Sequence, residues 1–143
     1  MIIKLLSSQI PQFWESIKLC VKEADEIDDK DLAPYLNELL QCLESDKAQC
    51  WVRMDDKRTL IALFVTRINT DRLSGTKTLV IQCAYSWQMT NVGIWQEDAE
   101  LVRKFAKQEG ISKIEFSSRN KAVQRVGLQS GFVEKTRVYE MRL

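Results

Sequence analysis

The chain has 143 residues, of which 45% are hydrophobic and 29% are charged. This composition is typical of one soluble globular domain, and it excludes collagen-like repeats, a disulfide scaffold and a disordered chain. The 21 basic and 20 acidic residues leave a net charge of +1, so the chain has no overall attraction to nucleic acid or an anionic membrane. Histidine is absent, which excludes a histidine-activated serine or cysteine nucleophile.

The sequence lacks any run of the roughly 18–20 apolar residues that a membrane span requires, and its first seven residues are too short for a signal-peptide core. We therefore expect a single cytoplasmic domain over residues 1–143. The four cysteines are widely spaced without a C-x-x-C pair, which favours reduced core residues over a zinc site or a redox motif. They are Cys20, Cys42, Cys50 and Cys83.

The first part of the chain predicts a strand and two helices. A short apolar run at 2–6 indicates an opening strand. Apolar residues then recur at three- and four-residue spacing over 9–25 and again over 31–44, which is the pattern of two amphipathic helices. Asp31 is a plausible N-cap or first-turn residue of the second helix.

The pattern then changes to that of strands. Residues 48–54, 59–68 and 78–87 are rich in Val, Ile, Thr, Phe and Trp, and polar turns separate them, so we expect a three-stranded antiparallel meander. The nearly continuous apolar run at 60–65 is typical of a central strand that is covered on both faces. Helices must then lie on both sides of the sheet.

The last part of the chain predicts two helices and two strands. The inner stripe of a third helix begins at Trp95, and Gly110 is its expected C-cap. Residues 111–117 indicate a strand, 120–130 a short helix, and 137–143 a final strand with alternating polarity.

Charge is distributed unevenly along the chain. Residues 1–46 carry 4 basic and 10 acidic groups (net −6), whereas residues 111–143 carry 7 basic and 3 acidic groups (net +4). The acidic part concentrates at 23–31, and the basic part includes Arg119, Lys121 and Arg125. An ordinary solvated surface is the default explanation of both.

The order strand, helix, helix, three strands, helix, strand, helix, strand resembles the GNAT superfamily of N-acetyltransferases over essentially the whole chain. The local resemblance is clearest where residues 105–110 are followed by the strand at 114–116, then Asn120, and then Gly131 with Phe132. In length and layout the chain is also similar to GNAT-like proteins encoded by bacteriophages. A glycine and a phenylalanine after a helix can also be a simple C-cap with an adjacent core aromatic.

The resemblance implies a mixed α/β fold in which the strands at 78–87 and 111–117 splay apart and receive the pantetheine arm of acetyl-CoA. It implies that the pyrophosphate lies at the start of the third helix, where unsatisfied N–H groups favour an anion. The implied cofactor-binding residues are Cys83, Tyr85, Asn91, Val92, Gly93, Ile94, Asn120 and Arg125, and no metal is implied.

This sequence departs from the family pattern at three places. Of the family's phosphate-binding fingerprint only Gly93 matches, because Thr90 stands where Arg or Gln is usual and Trp95 stands where a small residue is usual. Glu97 and Asp98 follow, which we expect in the first turn of the helix, where they would repel a pyrophosphate. Gly127 stands where many members carry the tyrosine that protonates the leaving thiolate.

The residues leave two alternative functions open. The first is an acyl-CoA-dependent N-acyltransferase in which an amine attacks the thioester directly, with Tyr85, Glu115 and Tyr139 as candidate catalytic residues; for each a purely structural role is the alternative. The acidic stretch would attract a cationic amine or a protein amino group, and the basic residues the phosphates of CoA. The second function is a non-catalytic GNAT-fold binding or assembly protein, while a nucleic-acid-binding module is a distant third.

Overall fold

Five strands pair side by side in the order in which they occur along the chain. The computed structural model describes residues 2–24, 27–89 and 91–143. Its strands are β1 (Ile2–Lys4), β2 (Ala48–Met54), β3 (Leu60–Thr70), β4 (Lys77–Ser86) and β5 (Lys113–Phe116). Its helices are α1 (Ile10–Ala24), which follows a short 3-10 turn, α2 (Asp29–Glu44), α3 (Val92–Gln108) and α4 (Lys121–Gln129).

The sheet is antiparallel from β1 to β4 and parallel only between β4 and β5. A parallel pair cannot be joined by a hairpin, so the connection must cross one face of the sheet, and α3 makes this crossing. The expected meander, its antiparallel pairing and the mixed α/β class are therefore confirmed.

The sheet is covered on both faces, as the apolar run in β3 predicts. On one face α1 and α2 bury a core that includes Ile17, Val21 and Leu43 against the sheet. On the other face α3 contributes Val102 and Ala106 to a second core. Because successive strand residues point to opposite faces, neighbouring residues of β2 and β3 enter different cores.

An aromatic cluster packs α3 on the sheet, and a series of buried hydrogen bonds lies next to it. Trp51 of β2 stacks on Phe64 of β3 at a ring-centroid distance of 5.8 Å and meets Phe105 of α3 edge to face at 5.4 Å. The indole N–H of Trp51 donates to the Thr66 hydroxyl at 3.0 Å, and that hydroxyl donates to Gln49 Oε1 at 2.8 Å. The polar atoms of this core are thus satisfied, as burial requires.

A buried ion pair adds a second connection between α3 and the sheet. Arg53 of β2 donates a hydrogen bond to the carboxylate of Asp98, which lies on α3 and is 3% exposed. Burial raises the pKa of the Asp98 carboxyl, and the hydrogen bond from Arg53 opposes that rise. Arg53 Nε is buried without a hydrogen-bond partner among the described residues, so the guanidinium depends on Asp98 for compensation of its charge.

The final strand predicted at 137–143 is not formed. Residues 132–143 have no regular secondary structure, and their side chains are mostly exposed. The physical reason is that β5 is only four residues long and offers a short edge, whereas the predicted strand has seven residues. Alternating polarity shows that a segment can form a strand, but the strand also needs a partner.

The cysteines are reduced, and three of the four are buried. The thiol of Cys20 on α1 donates to the sulfur of Cys83 on β4 at 3.4 Å. Burial raises the pKa of the Cys50 thiol to about 12, and the neighbouring Cys83 adds to this rise. Within the described ranges, no three acidic or cysteine side chains come together as a metal site, and no helix has the length and apolarity to cross a membrane.

Replacing Asp98 by Ala should lower the free energy of unfolding by about 3–5 kcal/mol, because it leaves the buried Arg53 charge uncompensated. Urea unfolding measures this loss. The matched control is Glu100→Ala on the same helix, whose exposed carboxylate pairs with Arg103 and should contribute less than about 1 kcal/mol. The double variant Arg53→Met/Asp98→Leu should recover most of the loss, and equal losses in the Asp98 and Glu100 variants would contradict the role of the pair.

Alkaline pH should destabilise the protein through Cys50. The thiol ionises near its ordinary pKa of 9.0 when unfolded but only near 12 when folded, so stability falls as pH rises between these values. The contribution is about 1.4 kcal/mol per pH unit. Urea unfolding from pH 8 to 11 should show a shallower decline in Cys50→Ala than in the parent chain, and equal declines would contradict this role of Cys50.

Candidate functional site

The strands β4 and β5 pair for only four residues and then separate. Their register runs from Thr78 opposite Lys113 to Ile81 opposite Phe116. At Phe116 β5 ends, while β4 continues to Ser86. Among the described residues, the part of β4 after Ile81 therefore has no paired strand on the β5 side, and we call this open side of β4 the gap.

A β-bulge marks the point where the gap begins. On β3, Val65 lies opposite Cys83 and Thr66 lies opposite Ile81, so Gln82 is the extra residue on β4. The Gln82 side chain accepts a hydrogen bond from Arg67 Nε at 3.1 Å. A bulge bends its strand and increases the local twist, which is the physical cause of the separation.

The strand geometry directs alternate backbone N–H groups of β4 away from β3 and toward the gap. Trp87 donates its N–H to Ile61 O of β3 at 2.8 Å. Backbone groups of alternate residues point to opposite sides of a strand, so those of Tyr85 and Cys83 also face β3, and those of Ala84 face the gap. The first amide after the bulge that can polarise a bound carbonyl is thus that of Ala84, a residue that the sequence did not single out.

The first turn of α3 begins at Val92, shortly after β4 ends at Ser86, and contains no acidic residue. Asn91 is the N-cap, and its side chain accepts from the Ile94 N–H at 3.0 Å. A Cβ atom on the exposed Gly93 would lie 3.2 Å from Asn91 Oδ1, so a larger residue would crowd the cap. The helix begins at Val92 rather than at Trp95, so the N–H groups of its first turn that lack an intrahelical acceptor belong to residues that precede Trp95.

The expectation that Glu97 and Asp98 repel an anion from the first turn is wrong. Because the helix starts at Val92, both residues fall in its second turn. Asp98 turns into the core and pairs with Arg53. The predicted fingerprint position Thr90 lies outside the described residues.

A close packing contact explains Gly127 on α4. A Cβ atom at this position would lie 2.4 Å from Cζ of Phe116, so only glycine admits the phenylalanine ring. The ring also meets Phe132 edge to face at a centroid distance of 5.0 Å. The place where the resemblance expects a tyrosine side chain is therefore taken by an aromatic ring from β5.

The two ends of α4 are capped by the residues that carry the resemblance. At its start, Asn120 accepts from the Ala122 and Val123 N–H groups at 2.9 and 3.3 Å. At its end, Gly131 has φ +95°, and the Phe132 N–H donates to Gly127 O at 3.1 Å. The glycine and phenylalanine thus form the C-cap with an adjacent aromatic contact.

Side chains of α3 reach the carbonyl end of α4 and hold the two helices together. Arg103 donates to Ser130 O, and Gln96 donates to Gln129 O at 3.4 Å. A cavity of about 200 Å³ lies between the helices beside these contacts. A cation at a helix C-terminus is favourable, so Arg103 contributes to this attachment in addition to its hydrogen bond.

The three candidate catalytic residues do not come together. Tyr85 lies on β4 at the gap and packs edge to face on Trp87 at a centroid distance of 4.9 Å. Glu115 lies on β5, where its carboxylate pairs with Lys135 Nζ at 3.1 Å. Tyr139 lies in the C-terminal segment and is 88% exposed. Of the three, only Tyr85 is placed beside the opening of the gap.

The structure keeps the two oppositely charged regions on different elements. The acidic residues Asp28, Asp29 and Asp31 lie at the start of α2, after α1, which contacts β4 at Cys83. Asp25 and Glu26 lie outside the described residues. The basic residues Arg119, Lys121 and Arg125 are exposed in the loop after β5 and on α4. The basic region therefore follows the carboxyl end of β5.

The fold is shared with solved acetyltransferases. An aminoglycoside 6′-N-acetyltransferase from Acinetobacter baumannii is similar over 100% of this chain and 97% of its own, with 16% identity and a TM-score of 0.72. A predicted acetyltransferase with acetyl-CoA from Clostridium acetobutylicum is similar over 99% and 95%, with 15% identity and a TM-score of 0.73. The aminoglycoside acetyltransferase AAC(6′)-Iy, solved with a CoA-containing bisubstrate analogue, is similar over 100% and 97%, with 17% identity and a TM-score of 0.71.

Neither a protein-family sequence model nor a curated protein sequence matches the chain. The similarity is therefore one of three-dimensional structure. The chain has the GNAT acetyltransferase fold along its whole length.

Replacing Gly127 by Ala should destabilise the protein by about 1–3 kcal/mol, because the added methyl group overlaps the Phe116 ring. Thermal unfolding measures this loss. Phe116→Leu in the same chain should relieve part of it, since the smaller side chain leaves room. As a control, Ala122→Gly on the exposed face of α4 should cost only its helix propensity, about 1 kcal/mol, and no loss in Gly127→Ala would contradict the packing.

Proposed function

We propose that this chain binds acetyl-CoA in the gap between β4 and β5 and transfers the acetyl group to an amine. The end of the parallel pairing next to the Gln82 bulge carries the proposal, because the rest of β4 has no paired strand of the described residues on that side. Ligands of open α/β sheets generally bind at the carboxyl ends of the strands. The similarity to acetyltransferases along the whole chain supports the same assignment.

The residues around the gap suit a pyrophosphate and a thioester. Val92 and Gly93 supply the first backbone N–H groups of α3, and no acid stands in that turn. Asn91 and Ile94 are already joined to each other, so their role is to shape this turn. Asn120 likewise shapes the first turn of α4, which follows the basic Arg119.

The chemistry needs positioning and a few polar groups. Acetyl-CoA supplies an acetyl group activated as a thioester. The Ala84 N–H is directed to the gap and would donate to the thioester carbonyl, where negative charge develops. Holding the amine and the thioester in reactive geometry supplies several kcal/mol without any further catalytic group.

The amine would approach from the side of the acidic residues. Asp28, Asp29 and Asp31 lie in or next to the first turn of α2, where a cationic amine is attracted. Tyr85 is the candidate group at the gap for orienting the amine or a water that accepts its proton. Glu115 forms an ion pair with Lys135, and Tyr139 is exposed in the C-terminal segment, so we assign neither residue a role at the gap.

One observation favours a second candidate function, a GNAT-fold binding protein without catalysis. Gly127 offers no hydroxyl for the leaving thiolate, and Phe116 fills the adjacent space. Such a protein would bind CoA or a protein partner but would not release free thiol from acetyl-CoA. Binding and turnover must therefore be measured separately.

Acetyl-CoA should raise the unfolding temperature and bind measurably by calorimetry. At a hundred times its dissociation constant, the ligand adds about 2.7 kcal/mol of stability, which moves the midpoint by several degrees. Gly93→Asp should weaken binding at least about tenfold, because it places a carboxylate where the pyrophosphate is expected. Its Cβ atom also crowds the Asn91 cap, so the unfolding temperature of the free variant is measured beside that of the parent chain.

The matched control is Lys104→Gln, which makes the same change of net charge at an exposed position farther along α3. It should leave the affinity for acetyl-CoA unchanged. Release of free thiol with spermidine as acceptor would support transfer. Binding without thiol release from a range of amines would favour the binding protein, and absence of binding at millimolar acetyl-CoA would overturn the proposal.

A further inference from the structure

A second cavity lies at the β1 edge of the sheet, between the first turn of α1 and the turn that joins β2 to β3. Its volume is about 280 Å³, which is close to the lower limit for small-molecule sites. Its strand residues belong to β1, β2 and β3, whereas the gap lies on the far side of β4. This cavity is therefore separate from the site that we propose for acetyl-CoA.

One side of the cavity is apolar. Leu5 is 4% exposed and belongs to the core beneath α1, and Phe13, Met54 and Leu60 pack against that core. Ile3 on the edge strand β1 also lines the cavity and is 44% exposed, so the cavity is open to solvent there. An apolar surface of this kind suits an aliphatic chain, because burial of methylene groups is favourable.

The other side of the cavity carries hydrogen-bond donors and one positive charge. These groups belong to Gln9, Gln12 and Arg58. Gln9 Oε1 accepts from the Leu6 N–H at 2.8 Å, so the amide of Gln9 offers its N–H donors to a ligand. Among the described residues no acidic side chain lines the cavity. A guanidinium beside amide donors suits a carboxylate, which accepts hydrogen bonds from all of them and carries one negative charge.

The guanidinium of Arg58 is available to a ligand. No described residue forms an ion pair or a side-chain hydrogen bond with it. The Asp55 carboxylate in the same turn accepts instead from the N–H groups of Lys57 and Thr59, at 2.9 and 2.8 Å. Arg58 therefore keeps its donors for a group that enters the cavity.

The backbone at Arg58 has a conformation that favours glycine. The Arg58 N–H donates to Asp55 O at 3.0 Å, the Asp55 N–H donates to Thr59 O at 3.0 Å, and Arg58 has φ +63°. This is a type I turn followed by a G1 bulge, whose left-handed residue is usually glycine. Arginine is less stable than glycine in this conformation, so its presence indicates a role for the side chain outside the turn.

We infer that this cavity binds a short aliphatic carboxylate. The carboxylate accepts hydrogen bonds from Arg58, Gln9 and Gln12, and the chain lies against the apolar side. The small volume limits the length of the chain. The uncompensated positive charge of Arg58 disfavours a cationic ligand, and binding here does not depend on binding of CoA.

Titration of the full chain with hexanoate tests the site, with the chemical shifts of backbone amides followed by NMR. Millimolar hexanoate should shift the amides around the cavity. Hexanamide, which has the same chain without the charge, should bind at least about tenfold more weakly. Acetate should bind about a hundredfold more weakly, because it lacks the chain. Equal affinities for hexanoate and hexanamide would overturn the inference, and so would the absence of hexanoate binding.

Replacing Arg58 by Gly separates the role in binding from the role in the turn. Glycine suits the left-handed backbone, so the variant should be at least as stable as the parent chain in thermal unfolding. It should nevertheless bind hexanoate at least about tenfold more weakly. The matched control is Arg72→Gly, which makes the same change of net charge at an exposed position in the turn between β3 and β4 and should leave the affinity unchanged. Equal affinities in the Arg58 variant and the parent chain would contradict the site.

Replacing Gln12 by Glu keeps the size of the side chain and adds a negative charge to the cavity lining. Gln12 is exposed in the first turn of α1, where the helix dipole favours an acid, so the fold should stay stable. Hexanoate should bind at least about tenfold more weakly to this variant, and an unchanged affinity would overturn the inference. The affinity for acetyl-CoA should be the same in the parent chain and in all three variants, so the outcome here is distinguishable from that of the proposed function.

Discussion

The parallel pairing of β4 with β5 ends after four residues, and the remaining features of the site depend on this early end. Because β4 runs on to Ser86 beyond a bulge at Gln82, its second half is hydrogen-bonded to β3 on one side and faces a gap on the other. The amide of Ala84 is directed to this open side, and the loop that leads to α4 starts at the end of β5. A sheet whose last two strands stayed paired would bring none of these groups together.

The position of α3 is set by contacts with the sheet rather than by its own loop. The aromatic contact of Trp51 with Phe105 and the ion pair of Arg53 with Asp98 attach the helix to β2 at two positions along its length. The ion pair also removes Asp98 from the helix surface, so the acid does not oppose an anion at the N-terminus. Arg103 then ties α3 to the carbonyl end of α4, which makes the two helices one support for the site.

Phe116 links the site to the C-terminal segment. Its ring packs on Gly127 on one side and on Phe132 on another, so the end of β5, the middle of α4 and the residue after the C-cap are mutually fixed. The segment that follows Phe132 is longer than the four-residue edge of β5. The same short β5 accounts for the early end of its pairing with β4.

The sequence by itself determined the class of fold, the order of the elements and the two-sided covering of the sheet, because hydrophobic period and turn residues are local properties of the chain. The resemblance singled out Asn91 and Asn120 as cofactor-binding residues, which stays a prediction, and the structure shows that both are helix N-caps. Only the tertiary structure decided that Asp98 is buried, that Ala84 rather than Cys83 or Tyr85 faces the gap, and that Phe116 occupies the space above Gly127. Each of these depends on the register of a strand or on contact between residues distant along the chain. The final strand at 137–143 did not form for the same reason. The polarity pattern of a segment indicates that it can form a strand, but its pairing depends on where a neighbouring strand ends.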